Sequence, residues 1–205
     1  MTMKASIVRT VFLLLSCSPA VALSGGDETA AREQAARVAV GEFAKQLGGE
    51  LKKTMGSEGP AAAIGVCRDV APQIAGEMSR ANGWRVTRVS DKPRNPMLGM
   101  PDAWEADALA GFGERAAKGE ALKGMSKSEV VSEGGQRYYR YMQAIGAQPM
   151  CLTCHGAAEQ IPANIKSALA ADYPHDPATG YKAGDLRGAF SIKQPLSVPL
   201  QGAGE

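Results

Sequence analysis

The first clear pattern of hydrophobic and polar positions lies between Glu28 and Lys53. Apolar residues recur there at intervals of three or four, with charged residues between them. They are Ala36, Val40, Phe43, Leu47 and Leu51. Residues spaced in this way share one face of an α-helix. The pattern therefore predicts a long amphipathic helix near the N-terminus.

A second helical pattern follows, for which Ser57 and Pro60 are typical of a cap and a first turn. Its apolar positions again recur at intervals of three and four. They are Ile64, Cys67, Ala71, Ile74 and Met78. Pro72 interrupts the pattern, because proline lacks a backbone donor and clashes with the carbonyl four residues earlier. We therefore expect Cys67 to face the core beside a kink or restart of this helix.

The remainder of the chain mixes strands with helices. Alternating or β-branched and aromatic segments predict strands at 84–89, 127–132, 136–145 and 187–193. Helical patterns cover 104–118 and 163–171. The two central strands are joined by Glu133-Gly134-Gly135, which predicts a hairpin. This order favours an α+β domain with an antiparallel sheet over an all-helical domain.

The first 22 residues are typical of a secretory signal peptide. Lys4 and Arg9 precede an apolar segment, and Ala20-Val21-Ala22 is a small-residue cleavage site. We therefore predict a signal peptide at 1–22, one domain at 23–205 and a periplasmic location. Cleavage at Cys17 with lipid attachment is the alternative, although Leu15 before Ser16 fits a lipoprotein site poorly. No other segment is apolar and long enough to predict a transmembrane helix.

Charge excludes one class of partner. Cleavage after Ala22 would remove two basic residues and leave 21 basic and 21 acidic side chains. Nucleic-acid-binding domains carry a strong basic excess. We therefore expect no nucleic-acid partner.

The segment Cys151-Leu152-Thr153-Cys154-His155 is a Cys-x-x-Cys-His motif, the attachment signature of a c-type haem. Two thiols three positions apart can reach the two vinyl groups at one porphyrin edge, and the following imidazole then lies below the iron. We therefore predict one covalently attached haem c, tethered by Cys151 and Cys154 and ligated by His155. An export signal agrees with this prediction, because bacteria attach haem c outside the cytoplasmic membrane.

Three other interpretations of the motif are weaker. A zinc site normally has four ligands, and only the distant Cys67 and His175 could complete one. A thioredoxin-like redox pair would lie in a βαβ unit, which the pattern does not predict. A structural disulfide is the third possibility, and it leaves the adjacent His155 unexplained.

The ligand on the other face of the haem is not decided by the motif. His175 lies in a proline-rich turn, and Met97 and Met100 lie in a loop, where each is also explained as an ordinary surface or packing residue. Met150 is too close to the tether, and water or an open position remains. Cys67 is equally well explained as a buried hydrophobic residue and as a ligand.

Five segments together resemble the exported single c-type haem proteins with a PAS-like fold, long catalogued as a domain of unknown function. The resemblance spans most of 30–195. The segments are Cys67-Arg68-Asp69-Val70-Ala71-Pro72-Gln73-Ile74-Ala75, Arg94-Asn95-Pro96, Pro101-Asp102-Ala103-Trp104-Glu105, Cys151 to Gly156, and Gly180-Tyr181-Lys182-Ala183-Gly184-Asp185-Leu186-Arg187-Gly188.

The resemblance implies a PAS-like antiparallel sheet flanked by helices, with His155 and a Cys67 thiolate as axial ligands. Met97-Leu98-Gly99-Met100 departs from the asparagine-containing form expected there, which keeps methionine open as a switchable ligand. A thiolate neutralises the positive charge of the ferric porphyrin, so the expected reduction potential is low.

Three functions are compatible with such a haem. A redox or small-ligand sensor would lose Cys67 on reduction and signal through a separate protein, with a diatomic gas as a possible ligand. A periplasmic electron-transfer cytochrome is the alternative and would need a redox partner. A haem enzyme ranks lowest, because the sequence offers no distal histidine suited to acid–base catalysis, so we expect no enzymatic activity.

Overall fold

The computed structural model describes residues 25–200. The predicted signal peptide and the alternative lipid site at Cys17 lie outside this range. Among the described residues, no helix combines the length and apolar character needed to cross a membrane. The elements are α1 (Gly25–Ser57), α2 (Ala63–Gly65), a π-helical turn (Val66–Val70), α3 (Ala71–Asn82), β1 (Arg85–Val89), α4 (Pro96–Gly99), α5 (Ala103–Ala117), β2 (Ser126–Glu133), β3 (Gln136–Gly146), a 3₁₀ turn (Pro149–Cys151), α6 (Leu152–His155), α7 (Ala163–Asp172) and β4 (Leu186–Pro195).

The four strands form one antiparallel sheet in the order β1-β4-β3-β2. The β2–β3 hairpin turns through Gly134 and Gly135, whose φ angles of 57° and 80° are left-handed. A two-residue turn of this kind matches the twist of the strands it joins, and glycine adopts it without strain. The predicted α+β, PAS-like class, with an antiparallel sheet flanked by helices and a long N-terminal helix, is confirmed.

Helices cover the sheet on both faces. Successive strand residues point to opposite sides, so each strand contributes side chains to both faces. On one face, Tyr139 and Tyr141 of β3 pack in a core cluster with Val40 and Phe43 of α1. On the other face, Met142 packs with residues of α5 in a second cluster. The alternation of β3 therefore places α1 and α5 on opposite sides of the sheet.

The predicted interruption beside Cys67 is present as the π-helical turn. The Ala71 N–H donates to the Val66 carbonyl, one residue further back than in an α-helix. Pro72, which follows, has no N–H to donate and crowds the carbonyl of Arg68, and the wider turn accommodates both effects. Cys67 thus lies in an irregular turn between two regular helices.

The predicted start of the second helix is wrong. Ser57 ends α1, where its Oγ donates to the Lys53 carbonyl at 3.0 Å. The next helical residues are Ala63–Gly65. A serine hydroxyl in a final helical turn can bond back four residues as well as cap a new helix, and sequence does not separate the two uses.

A buried charge network ties the start of α5 to the sheet. Arg140 of β3 is 1% exposed and lies 2.8 Å from Asp102, 2.9 Å from Glu133 and 3.3 Å from Glu105. Glu105 is fully buried and also accepts a hydrogen bond from Ser191 at 2.6 Å. Asp102 and Glu105 form a capping box at the first turn of α5. The network therefore holds the loop that precedes α5 against the sheet.

Replacing Arg140 with methionine is expected to lower the free energy of unfolding by about 3–5 kcal/mol, because it leaves the buried Glu105 with only the half-exposed Arg85 as a cationic partner. Denaturant unfolding of the folded chain measures this loss. The matched control is Arg137→Met in the same strand, where the side chain is exposed and the expected change is within about 0.5 kcal/mol. Equal stabilities for the two variants would show that the network does not stabilise the fold.

Candidate functional site

The Cys-x-x-Cys-His motif leaves the end of β3 through the 3₁₀ turn and folds as the short helix α6. Cys151 and Cys154 are three residues apart in this helical segment, a spacing that places side chains on the same side. Both thiols are free and partly buried. At Gly156, which caps α6, an added Cβ would lie 2.6 Å from the Leu152 carbonyl oxygen. Glycine therefore allows the chain to turn away directly after His155.

The imidazole of His155 is oriented by a backbone carbonyl. Its Nδ1 lies 2.7 Å from the Ala178 oxygen and 3.2 Å from Arg94 Nη2. A carbonyl only accepts and a guanidinium only donates, so Nδ1 can satisfy one of them at a time. The carbonyl contact is shorter, and Arg94 Nη2 already donates to the Cys154 oxygen at 2.6 Å. We therefore assign the proton to Nδ1, which leaves the Nε2 lone pair free to bind a metal.

His155 is held neutral by its surroundings. Burial lowers its pKa to about 3, and the nearby guanidinium groups of Arg94 and Arg187 act in the same direction. The ring of Tyr181 meets the imidazole edge-on at 6.2 Å between centroids. A neutral imidazole with one nitrogen engaged is the form in which histidine binds metals.

Behind His155 lies a buried ion pair. Arg94 Nε donates to Asp176 Oδ2 at 2.8 Å, and both side chains are 8% exposed. The other carboxylate oxygen, Oδ1, accepts the Ala178 N–H at 2.8 Å. The pair thus connects the loop before α4, the carbonyl of Cys154 in α6 and the segment that bonds His155.

Cys67 lies on the side of its helix that faces the motif. Ile64, three residues earlier and on the same face, packs in a cluster with Ile165 and Tyr173, against which Cys154 also lies. Burial raises the pKa of Cys154, and charge on Cys67 raises it further, as it does for Tyr173. Together with the position of Ile64, these effects on the two pKa values indicate that Cys67 lies near the motif.

Positive charge gathers at the same place. Burial lowers the pKa of Arg88, and charge on Cys67 opposes that shift. Burial also lowers the pKa of Arg187, and the neighbouring charges of Arg94 and Arg88 contribute. Lys92 and Arg187 lie over the ring of Tyr181 at 5.5 Å and 5.2 Å. Several cations that are partly withdrawn from water provide a favourable environment for an anionic ligand.

The other predicted ligands lie at the surface. Met97 is 91% exposed and Met100 is 59% exposed. His175 is also exposed, while its neighbour Asp176 turns inward to Arg94. Within residues 25–200, no three His, Cys, Asp or Glu side chains are grouped as a metal site would require. Cys67, Cys151, Cys154 and His155 are partly buried, whereas the three alternatives are exposed.

Sequence reasoning missed the residues that surround His155. Arg94 was recognised only within a motif, and neither Asp176 nor Ala178 carried a signal in the hydrophobic pattern. Arg94 and Asp176 are 82 residues apart in the chain. An arginine in a proline-containing loop was the one available indication, and it does not identify a partner.

Comparison with known proteins identifies the family of the chain. No curated protein matches the sequence. The structure is similar to the crystal structure of the cyanobacterial heme-protein Tll0287, with a TM-score of 0.61 and 28% sequence identity, over 83% of this chain and 98% of that one. The model of the Tll0287-like family matches residues 22–195. The chain therefore belongs to the Tll0287-like family.

Proposed function

We propose that this protein is a periplasmic haem c protein with His155 and Cys67 as axial ligands, and that it senses redox state or a small ligand. The observation that carries the proposal is that Cys67 lies near the attachment motif. Cys151 and Cys154 supply two free thiols, His155 supplies a neutral imidazole with Nε2 available, and Cys67 supplies a thiol from a separate helix. The similarity to a heme-protein supports the same cofactor.

The residues present fit a c-type haem. The thiol spacing suits attachment to the two vinyl groups, and the Nδ1–H bond to Ala178 is the support that metal-binding histidines usually have. Arg88 and Arg187 are the groups we assign to the two haem carboxylates, because they are cationic and partly buried beside His155. Once bound, the haem would supply an iron that exchanges one electron and accepts a sixth ligand.

Cys67 is the residue we assign to the response. As a thiolate it would neutralise positive charge and stabilise the oxidised state, which gives a low potential. If a bound haem iron were reduced, its positive charge would fall, and Cys67 Sγ would be held less strongly and would take up a proton. Its position in the π-helical turn means that a regular helix does not fix it, and such turns are frequent at functional sites.

The remaining parts of the proposal follow from the sequence. The predicted signal peptide supports a periplasmic location, and a separate signalling or redox protein would receive the output. We assign no enzymatic activity, because a haem enzyme needs an acid or base near the reacting ligand. We do not assign this role to the second histidine of the sequence, His175, which is exposed.

Adding carbon monoxide to the reduced haem protein tests the proposal. We expect carbon monoxide to bind and the absorption spectrum to change, because Cys67 leaves the sixth position on reduction. The oxidised protein is the control and should not respond. A reduced protein that stays six-coordinate and does not bind the gas would instead indicate an electron-transfer cytochrome. A purified chain without covalent haem, after production with the haem-attachment machinery, would refute the proposal.

A further inference from the structure

The ion pair between Arg94 and Asp176 has no part in the function proposed above. Burying two opposite charges is costly unless their geometry is good and their other hydrogen bonds are satisfied. Here each group is 8% exposed, and the pair lies against the proposed iron ligand instead of in the hydrophobic core. This placement indicates that the ion pair acts on His155, the proposed iron ligand.

We propose that Arg94 and Asp176 form a positioning pair that orients His155 and adjusts the reduction potential of the iron it holds. This inference rests on the proposed function, since it requires His155 to be an axial ligand. The two residues act through His155 and touch neither the iron nor a substrate.

The orientation follows from the hydrogen bonds. Asp176 Oδ1 accepts the Ala178 N–H at 2.8 Å, and the carbonyl of Ala178 in turn lies 2.7 Å from His155 Nδ1. Arg94 Nη2 donates to the Cys154 carbonyl at 2.6 Å and lies 3.5 Å from the Ala178 carbonyl. Arg94 and Asp176 together therefore hold both the segment before the imidazole and the carbonyl that accepts the hydrogen bond from its Nδ1.

The two charges act on the iron in opposite directions. The guanidinium of Arg94 lies 3.2 Å from His155 Nδ1, so its positive charge disfavours the more positive, oxidised iron. This raises the potential and offsets part of the decrease that a Cys67 thiolate causes. The carboxylate of Asp176 has the opposite effect. Because both side chains are buried, solvent ions screen these effects weakly.

Redox titration of three variants tests the inference. Arg94→Gln removes a positive charge, so we expect the oxidised form to be favoured about tenfold and the potential to fall by about 59 mV for a one-electron couple. Asp176→Asn removes a negative charge and should raise the potential by a similar amount. Arg94→Lys keeps the charge and should lie closer to the unmodified protein than Arg94→Gln does.

Shifts of the reduction potential in opposite directions would show that the pair acts through its charges and not only by holding the loops in place. If the pair only held the loops together, both charge-removing variants would disturb His155 and move the potential in the same direction. The matched control is the exposed ion pair of Arg115 and Glu120, which are 39% and 49% exposed. Arg115→Gln and Glu120→Gln should leave the potential unchanged.

The readouts separate failure of the inference from failure of the proposed function. Covalent haem is measured first in every variant, together with the low-spin spectrum of the oxidised form. Absence of haem c from the unmodified protein would refute the proposed function. Haem-loaded variants with unchanged potentials, or with shifts of the same sign, would refute the inference alone. If Arg94→Gln does not fold, Arg94→Lys and Asp176→Asn still decide, because they must lie respectively near and above the unmodified value.

Discussion

Replacing Cys151 and Cys154 together with alanine is expected to abolish covalent haem, from one per chain to nearly none. Both free thiols lie in the segment that leads into His155, and thioether bonds can form nowhere else in the motif. Haem staining after denaturing electrophoresis measures the loss. Each single alanine variant should retain haem through one thioether, at reduced yield.

Two results would contradict this prediction. Retention of stain in the double variant would show that the haem is attached elsewhere. Stoichiometric zinc and no haem in the unmodified protein would favour the zinc interpretation of the motif. Cys67→Ala is the matched control, since it also removes a free thiol but should leave the covalent haem in place.

Replacing Cys67 with serine is expected to remove the low-spin thiolate signature of the oxidised protein. It should also favour the reduced form by about tenfold or more, which raises the potential by at least about 59 mV. The physical reason is that a hydroxyl stays protonated and does not neutralise the charge of the ferric iron. Absorption spectra and electron paramagnetic resonance measure the first change, and a redox titration measures the second.

The surface candidates supply the controls for Cys67. Met97→Leu and His175→Gln should leave spectrum and potential unchanged, because both side chains are exposed. A Cys67→Ser protein whose spectrum equals that of the unmodified chain would show that Cys67 is not the ligand. A changed spectrum in His175→Gln or Met97→Leu would then identify the sixth ligand directly.

Local patterns predicted most of the fold. The long first helix extends over Gly25–Ser57, a few residues beyond each end of the predicted segment Glu28–Lys53. At each end, the predicted hairpin strands differ from the observed β2 and β3 by no more than one residue. Both results have one cause, which is that burial of one face imposes a period of 3.6 on helices and of 2 on strands. The predicted start of the second helix was wrong because the Ser57 hydroxyl bonds to the preceding helix instead.

The site was predictable only in part. A motif of five consecutive residues named Cys151, Cys154 and His155, because attachment chemistry requires thiols at that spacing. The pattern placed Cys67 on an inward face beside Pro72. It did not show that Cys67 lies near the attachment motif, which is far along the chain. Arg94 and Asp176 were not predictable as a pair, since isolated polar residues in loops leave no periodic signal.

The sequence by itself determined most of the secondary structure, the α+β class and the attachment motif, because these depend on neighbouring residues and on their spacing. The tertiary structure decided which side chains meet. It brought Cys67 near Cys154, set the proton of His155 on Nδ1 through Ala178, and buried Arg94 with Asp176 behind the imidazole. Such contacts join segments that are distant in the chain, and their geometry follows only from the packing of the helices and loops around the sheet.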